Sequence, residues 1–314
     1  MSWLARGTAV MLTGSLGLAA ASAPAASAPA ASAPATATAR HPATVRVSIR
    51  ATGRDGSHGV IGEDAVAVSL SAASRGNMYR AGRTGVLTLP RGRYLLAVDI
   101  TSAPVAPGNA DSETLAARLL TVTRRVTVSF DARHGRRVAE SLNKAGASAL
   151  VASAVVCYGV GQAAQALVSG DVSAGAGQVP LYAIPFRYRG MSFGFATSWR
   201  DSAGKRYLTS GSRSGAIPAR PGFAFSVARL ARLTVRITSS AAPGGHGSLV
   251  VQQQDSCSPA VLTANPVRLP SRTSLYLSAG HWLASFTPSQ AGQPGRQAAV
   301  LLRAGKQRTL RFAG

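Results

Sequence analysis

Apolar and polar residues alternate with period two along much of this chain, the mark of strands with one packed and one wetted face. Val45, Val47, Ile49 and Ala51 alternate with Arg46, Ser48 and Arg50, and Arg54-Asp55-Gly56-Ser57 comes next as a turn. Ala65 to Leu70 is strand-like with looser alternation. Leu89-Pro90-Arg91-Gly92 suits a type I turn, with proline at its second position and glycine at its fourth. Tyr94 to Ile100 returns as a strongly apolar strand, and Leu119 to Val122 and Val126 to Phe130 flank Thr123-Arg124-Arg125 as in a hairpin. Six or seven short strands in roughly 95 residues predict an immunoglobulin-like β-sandwich.

The second half continues the pattern. Ala145 to Gly170 holds 26 residues without a charge. Its glycines, glutamines and single cysteine fit buried strands better than a membrane span. Met191, Phe193, Phe195, Thr197 and Trp199 alternate with small or polar residues, as do Phe223, Phe225 and Val227. Most of these aromatics read as core faces. Trp199, Tyr207 and Trp282 could instead form a stacking platform for sugar rings. Leu230 to Thr238 is a strand with Arg232 and Arg236 outward. Ala298 to Leu302 and Thr309 to Phe312, around Gly305-Lys306-Gln307, read as a closing hairpin that echoes Leu119 to Phe130. That echo predicts a second sandwich of related design.

The N-terminus changes the compartment. Arg6 precedes a short apolar segment, Thr8 to Ala21, and Ala23-Pro24-Ala25 and Ala37-Thr38-Ala39 offer cleavage sites, as in an export signal. Pro24 to Ala39 is an Ala/Ser/Pro linker of too low complexity to build a core, and is expected to be disordered. The domain reading is therefore 1–39 signal peptide and linker, 40–140 first β-sandwich, and 141–314 a second β-rich domain. An extracellular location is expected, free or associated with the cell wall, without nucleic acid as partner and without a stable membrane span after cleavage. Outside the cell, the only two cysteines, Cys157 and Cys257, are expected to pair. Closing so long a loop stabilises by roughly 3–5 kcal/mol in the chain-entropy model.

Charge adds one partner class. There are 34 basic against 11 acidic residues, a net charge of +23. Such a field favours anionic partners. Yet arginine outnumbers lysine 31 to 3, and no basic run exceeds two residues. Composition alone could account for the excess.

Candidate chemistry is sparse. Gly159-Val160-Gly161-Gln162-Ala163-Ala164 matches a dinucleotide fingerprint, but Asp171 comes too early to hold a ribose and no βαβ unit continues. Asp55, Glu63 and Asp64 lie near turns without the spacing of a calcium loop. Two cysteines without neighbouring histidines make no zinc site. No Gly-x-Ser-x-Gly elbow occurs. No cofactor, metal or catalytic residue is expected.

The succession ATGRDG, GVLTLPRGRYLLAVDI and LLTVTRRVTVSFDAR resembles a carboxypeptidase-regulatory-like β-sandwich. More narrowly, it resembles the non-catalytic module attached to secreted subtilisin-family serine peptidases of high-GC Gram-positive bacteria. The pieces that carry this are Leu89-Pro90-x-Gly92-x-Tyr94 and Phe130-Asp131-Ala132-Arg133, so that Pro90, Gly92, Tyr94 and Asp131 are turn and core positions. Leu181-Tyr182-Ala183-Ile184-Pro185, Gly215-Ala216-Ile217-Pro218 and the stretch Leu275 to Trp282 are similar to the region C-terminal to that module in those peptidases. The resemblance implies two all-β sandwich modules and brings no active site. The contexts of a subtilisin triad are absent around His41, His58, His134, His246 and His281. The expected function is a secreted, non-enzymatic binding or adhesion protein for a cell-wall polymer, polysaccharide or protein. The alternative is an accessory module working with a secreted serine peptidase.

Overall fold

The computed structural model describes residues 43–313 apart from 59, 82–83, 104–110, 160–163, 174–179, 239–244, 256 and 290–294. The export signal, the linker and the middle of the dinucleotide-like motif lie outside the described residues. Those described form an all-β protein of stacked sheets with a few 3-10 turns.

The first sandwich faces a three-stranded sheet against a larger one. Strand β1 (Thr44–Thr52) pairs antiparallel with β4 (Val86–Pro90) and parallel with β7 (Val126–Asp131). Opposite lie β3 (Met78–Arg80), β2 (Val60–Ser69), β5 (Gly92–Ser102) and β6 (Ser112–Val122), in that order. Val47, Ile49 and Ala51 of β1 meet Tyr94, Leu96, Val98 and Ile100 of β5 in one core. Thr123-Arg124-Arg125 is an arch between the two sheets, since β6 and β7 do not pair. The same holds at Pro90-Arg91-Gly92, where β4 and β5 belong to different sheets. A sandwich core needs facing strands, and a pleated strand's alternation is the same whether its successor pairs beside it or crosses above it.

The last seven strands repeat this plan. Here β16 (Ala231–Thr238) pairs antiparallel with β19 (Ser271–Leu277) and parallel with β22 (Gln307–Ala313). Opposite run β18 (Val261–Arg268), β17 (His246–Gln253), β20 (Gly280–Pro288) and β21 (Arg296–Leu302). Strand for strand this is the order β4-β1-β7 against β3-β2-β5-β6. The expected closing hairpin is thus also an arch, from β21 to β22. The corner repeats as well. Tyr94 Oη donates to the Pro90 carbonyl at 2.7 Å, and Trp282 Nε1 donates to the Ser278 carbonyl at 3.0 Å, each four residues back. Both rings are buried. A polar tip held by the turn lets a large ring fill the corner of the core.

Between the copies lies a middle segment: β8 (Arg136–Arg137), β9 (Ala139–Leu142), β10 (Ser148–Tyr158), β11 (Gln165–Ser173), β12 (Leu181–Ala183), β13 (Phe186–Arg200), β14 (Arg206–Ile217) and β15 (Gly222–Phe225). The uncharged stretch thus forms the antiparallel pair β10 and β11. No helix among the described residues is long and apolar enough to cross a membrane. Strand β12 extends the first sandwich by pairing parallel with β6, and β14 joins the second by pairing parallel with β19. Met191, Phe193 and Phe195 of β13 pack with Val66, Val68, Leu95, Ala97 and Leu115 on the back of the first sandwich. The expected boundary at 140/141 is therefore crossed by a sheet and by a core. From Tyr94 to Ile100 β5 is buried on both faces, which explains why that stretch is apolar without alternation apart from Asp99.

A disulfide joins Cys157 on β10 to Cys257, with Cα atoms 5.8 Å apart. Cys257 adopts φ 56°, and its carbonyl lies on Gly194 of β13, where any Cβ would fall inside the contact shell of that backbone. Gly194→Ala must displace main chain rather than a flexible side chain. We expect it to lower stability by about 3 kcal/mol, the upper end for overpacking, measured by urea unfolding. Gly222→Ala, whose Cβ meets only the Ala139 carbonyl at 4.0 Å, should leave stability nearly unchanged.

Candidate anion-binding cleft

Three chain connections converge beside β12 and form a cleft of about 570 Å³. One wall is Arg136, Arg137 and Ala139 at the β8–β9 junction; another is Pro185 between β12 and β13; the third is Ala219-Arg220-Pro221-Gly222 between β14 and β15. Among the described residues its lining carries three guanidinium groups and no carboxylate. The prolines fix φ in two of the walls. The 219–222 wall is tied to β9 by Ala139 N–H donating to the Pro221 carbonyl at 2.9 Å.

Arg54 and Gly135 set the position of β8. The Arg54 guanidinium lies 3.6 Å over the Tyr182 ring and donates to the carbonyls of Ala132 and Gly135 at 2.8 and 3.2 Å. A Cβ on Gly135 would meet Thr114 at 2.9 Å, the Ala132 carbonyl at 3.0 Å and Tyr182 at 3.2 Å, so only glycine lets β8 approach β12 here. Asp131 caps the preceding 3-10 turn through Arg133 N–H at 3.0 Å and pairs with the Arg133 guanidinium at 2.7 Å. That pairing holds the Asp131 carboxyl down to about 2. Asp131 and Arg133 thus neutralise each other at the surface.

Glu140 is next to Ala139 on β9, and its carboxyl meets the Thr209 hydroxyl. Its Oε2 accepts from Thr209 Oγ1 at 3.3 Å, and Thr209 Oγ1 accepts from Trp199 Nε1 at 2.8 Å. Glu140 Oε1 is buried without a hydrogen-bond partner. Burial pushes the carboxyl up to about 7, and the hydroxyls of Thr197 and Thr209 offset only part of that.

The residues singled out from sequence fall mostly into structural roles. Gly92 gives room for Ser71 Oγ, 2.7 Å from where its Cβ would lie, and Pro90 supplies the carbonyl that receives Tyr94. Trp199, Tyr207 and Trp282 do not form a platform: all three are buried, at 7%, 2% and 0% exposure. Tyr207 Oη donates to Asp201 Oδ2 at 2.7 Å, and burial and that carboxylate push its hydroxyl up to about 12. Their alternation reports core faces, in which a polar ring edge satisfied by a neighbour packs as well as an apolar one. Asp55 is spent on its own turn, accepting from Ser57 N–H and Oγ, and the described residues contain no cluster that could hold a metal ion. Asp255 carries no signal in the sequence. It accepts from Gln253 Nε2 at 2.7 Å and contacts His281 Nδ1 at 3.1 Å, a carboxylate–imidazole pair at the surface. It holds the 253–258 turn against β20 where Gly280 leaves space. The arginines of the cleft gave no distinguishing sequence signal, since the doublet Arg136-Arg137 has an equal at Arg124-Arg125.

No family model matches the chain, and no curated protein matches it. Among solved structures, the Bacillus anthracis TIE protein is similar at 9% identity over 86% of this chain and 50% of its own, with a TM-score of 0.21. The match thus spans half of that protein. The major pilin subunit of Bacillus cereus is 7% identical over 86% of this chain and 99% of its own, with a TM-score of 0.19. The streptococcal ancillary pilin gives 7%, 86%, 99% and 0.18 in the same terms. Likeness at this level says nothing of what the chain binds.

Because the Glu140 carboxyl is held near 7 in the folded chain and near 4.5 in the unfolded one, the folded state binds more protons between those values. Stability should fall as pH rises from about 4.5 through about 7, visible as a declining melting temperature. Glu140→Gln, neutral throughout, should remove most of that decline. An unchanged pH slope in the variant would contradict the assignment.

Proposed function

We propose that this is a secreted, non-enzymatic binding protein that recognises an anionic polymer of a bacterial surface. The cleft carries the reading: Arg136 and Arg220, with Arg137 beside them, bring guanidinium groups to one concavity. Guanidinium groups match phosphate and carboxylate geometry through paired donors. The net charge of +23 adds long-range attraction. The export signal expected at the N-terminus supplies the compartment in which such polymers occur. A polymer rather than a small anion fits an open cleft bounded by chain connections, because successive charges can engage the cleft and the surrounding arginine-bearing strand faces together.

The resemblance to the non-catalytic region of secreted serine peptidases supports a second reading, an accessory module for such an enzyme. Leu181 to Pro185 and the stretch leading to Pro218, two of its matching pieces, adjoin the walls of the cleft.

The two readings separate in one titration. Polyphosphate, polygalacturonate and neutral dextran would be immobilised and the mature protein passed over each across a salt series. The polymer reading predicts retention on both polyanions that fades with salt, none on dextran, and a roughly tenfold loss for Arg136→Ala/Arg137→Ala/Arg220→Ala, since surface charges are screened within about 8–10 Å at these ionic strengths. Equal retention of the triple variant would remove the cleft from the reading. Salt-resistant capture of a secreted peptidase, with no polyanion binding, would favour the accessory module.

A further inference from the structure

A second concavity lies away from the arginine cleft. It measures about 350 Å³ and opens between β10, the ends of β13 and β14, and β18. Six large apolar side chains are exposed among the described residues, and three of them, Leu150, Val151 and Val261, line this one groove. Clustering of that kind marks a contact surface, whereas scattered exposed apolar residues do not. Leu150 sits where the register between β10 and β13 slips, between Ala149 and Val151, and the irregularity turns it outward.

Two further observations define the occupant. First, β18 is the terminal strand of its sheet, so among the described residues one side of its backbone has no strand partner. In the first sandwich the corresponding strand, β3, is three residues long, whereas β18 runs for eight, Val261–Ala264 forming its continuous stretch before the register shift at Asn265-Pro266. An open edge of four residues offers its backbone N–H and C=O groups to an added strand. Second, Arg200 and Arg206 line the groove's mouth directly opposite one another on β13 and β14. Like charges placed opposite on neighbouring strands repel. Among the described residues neither has a carboxylate within ion-pair distance. An anionic group seated between them would relieve that repulsion.

We infer that this groove binds an extended polypeptide segment, which pairs with the edge of β18, sets apolar side chains against Leu150, Val151 and Val261, and places a carboxylate between Arg200 and Arg206. The backbone edge selects a peptide over an acyl chain, which could fill the groove but not the ladder. The arginine pair selects an acidic peptide over a neutral one.

The test uses fluorescein-labelled acetyl-Val-Leu-Val-Glu-Gly-Lys and its counterpart with lysine in place of glutamate, titrated with the mature protein and followed by anisotropy. The acidic peptide should bind at least about tenfold more tightly than the basic one. Val261→Asp and, separately, Leu150→Ser should each weaken it about tenfold or more, both at exposed positions where folding can be confirmed by an unchanged circular dichroism spectrum. Arg200→Ala/Arg206→Ala should erase the preference between the two peptides. Binding should survive Arg136→Ala/Arg137→Ala/Arg220→Ala, which separates this groove from the cleft. No binding of the acidic peptide at millimolar protein, equal binding of both peptides, or full displacement by decanoate would each overturn the inference. So would a concentration-dependent dimer abolished by Val261→Asp, which would assign the groove to a second copy.

Discussion

A β-sheet has two faces, and the sheet built on β5 must hide both. Tyr94, Leu96, Val98 and Ile100 point into the first sandwich, while Leu95 and Ala97 point out of it, toward Phe193 and Phe195. Fully burying a large aliphatic side chain contributes roughly 1.5–3 kcal/mol. Exposing Val66, Val68, Leu95 and Leu115 together would then cost on the order of 6–12 kcal/mol, comparable with the roughly 5–15 kcal/mol that holds a whole domain folded. The first sandwich is consequently half of a larger architecture, and the middle segment is its missing cover. The shared sheet at β6 and β12 is a consequence, as are the convergence of connections beside β12 and hence the cleft.

The second sandwich repeats the strand order of the first but not its burial. β20 alternates buried and partly exposed positions, whereas β5 is buried without a break from Tyr94 to Ile100. The same plan thus serves once as an inner layer and once as an outer one, and the exposed groove lies at the open edge of the outer copy. The corner bond survives with a different ring: Tyr94 in one copy, Trp282 in the other. What is preserved is a large ring whose polar tip reaches the carbonyl four residues back.

These differences decide what could be read from the sequence. Period two in Val45 to Ala51 was legible because β1 has one buried face. The apolarity of Tyr94 to Ile100, interrupted only by Asp99, showed burial but not its cause, since periodicity identifies a hidden face without naming what hides it. Arches at 123–125 and 303–306 read as hairpins because local alternation carries no information about which sheet receives the next strand. The echo between the two closing pairs was legible and corresponds to a duplicated topology. The cleft was not: Arg136, Arg137 and Arg220 come from connections more than eighty residues apart, and among 34 basic residues nothing local distinguishes them. Trp199, Tyr207 and Trp282 misled in the other direction, because aromatic residues with a hydrogen-bonding edge suit a sugar-binding face and a buried corner equally well.

The claim on which the rest stands is that the first sandwich depends on the middle segment. It is tested most directly by producing residues 43–140 alone and comparing their thermal unfolding with that of residues 43–313. The account predicts a single cooperative transition for the longer chain and none for the fragment, whose uncovered apolar face should leave it aggregated or loosely packed. A fragment that melts cooperatively at the temperature of the whole chain would contradict it.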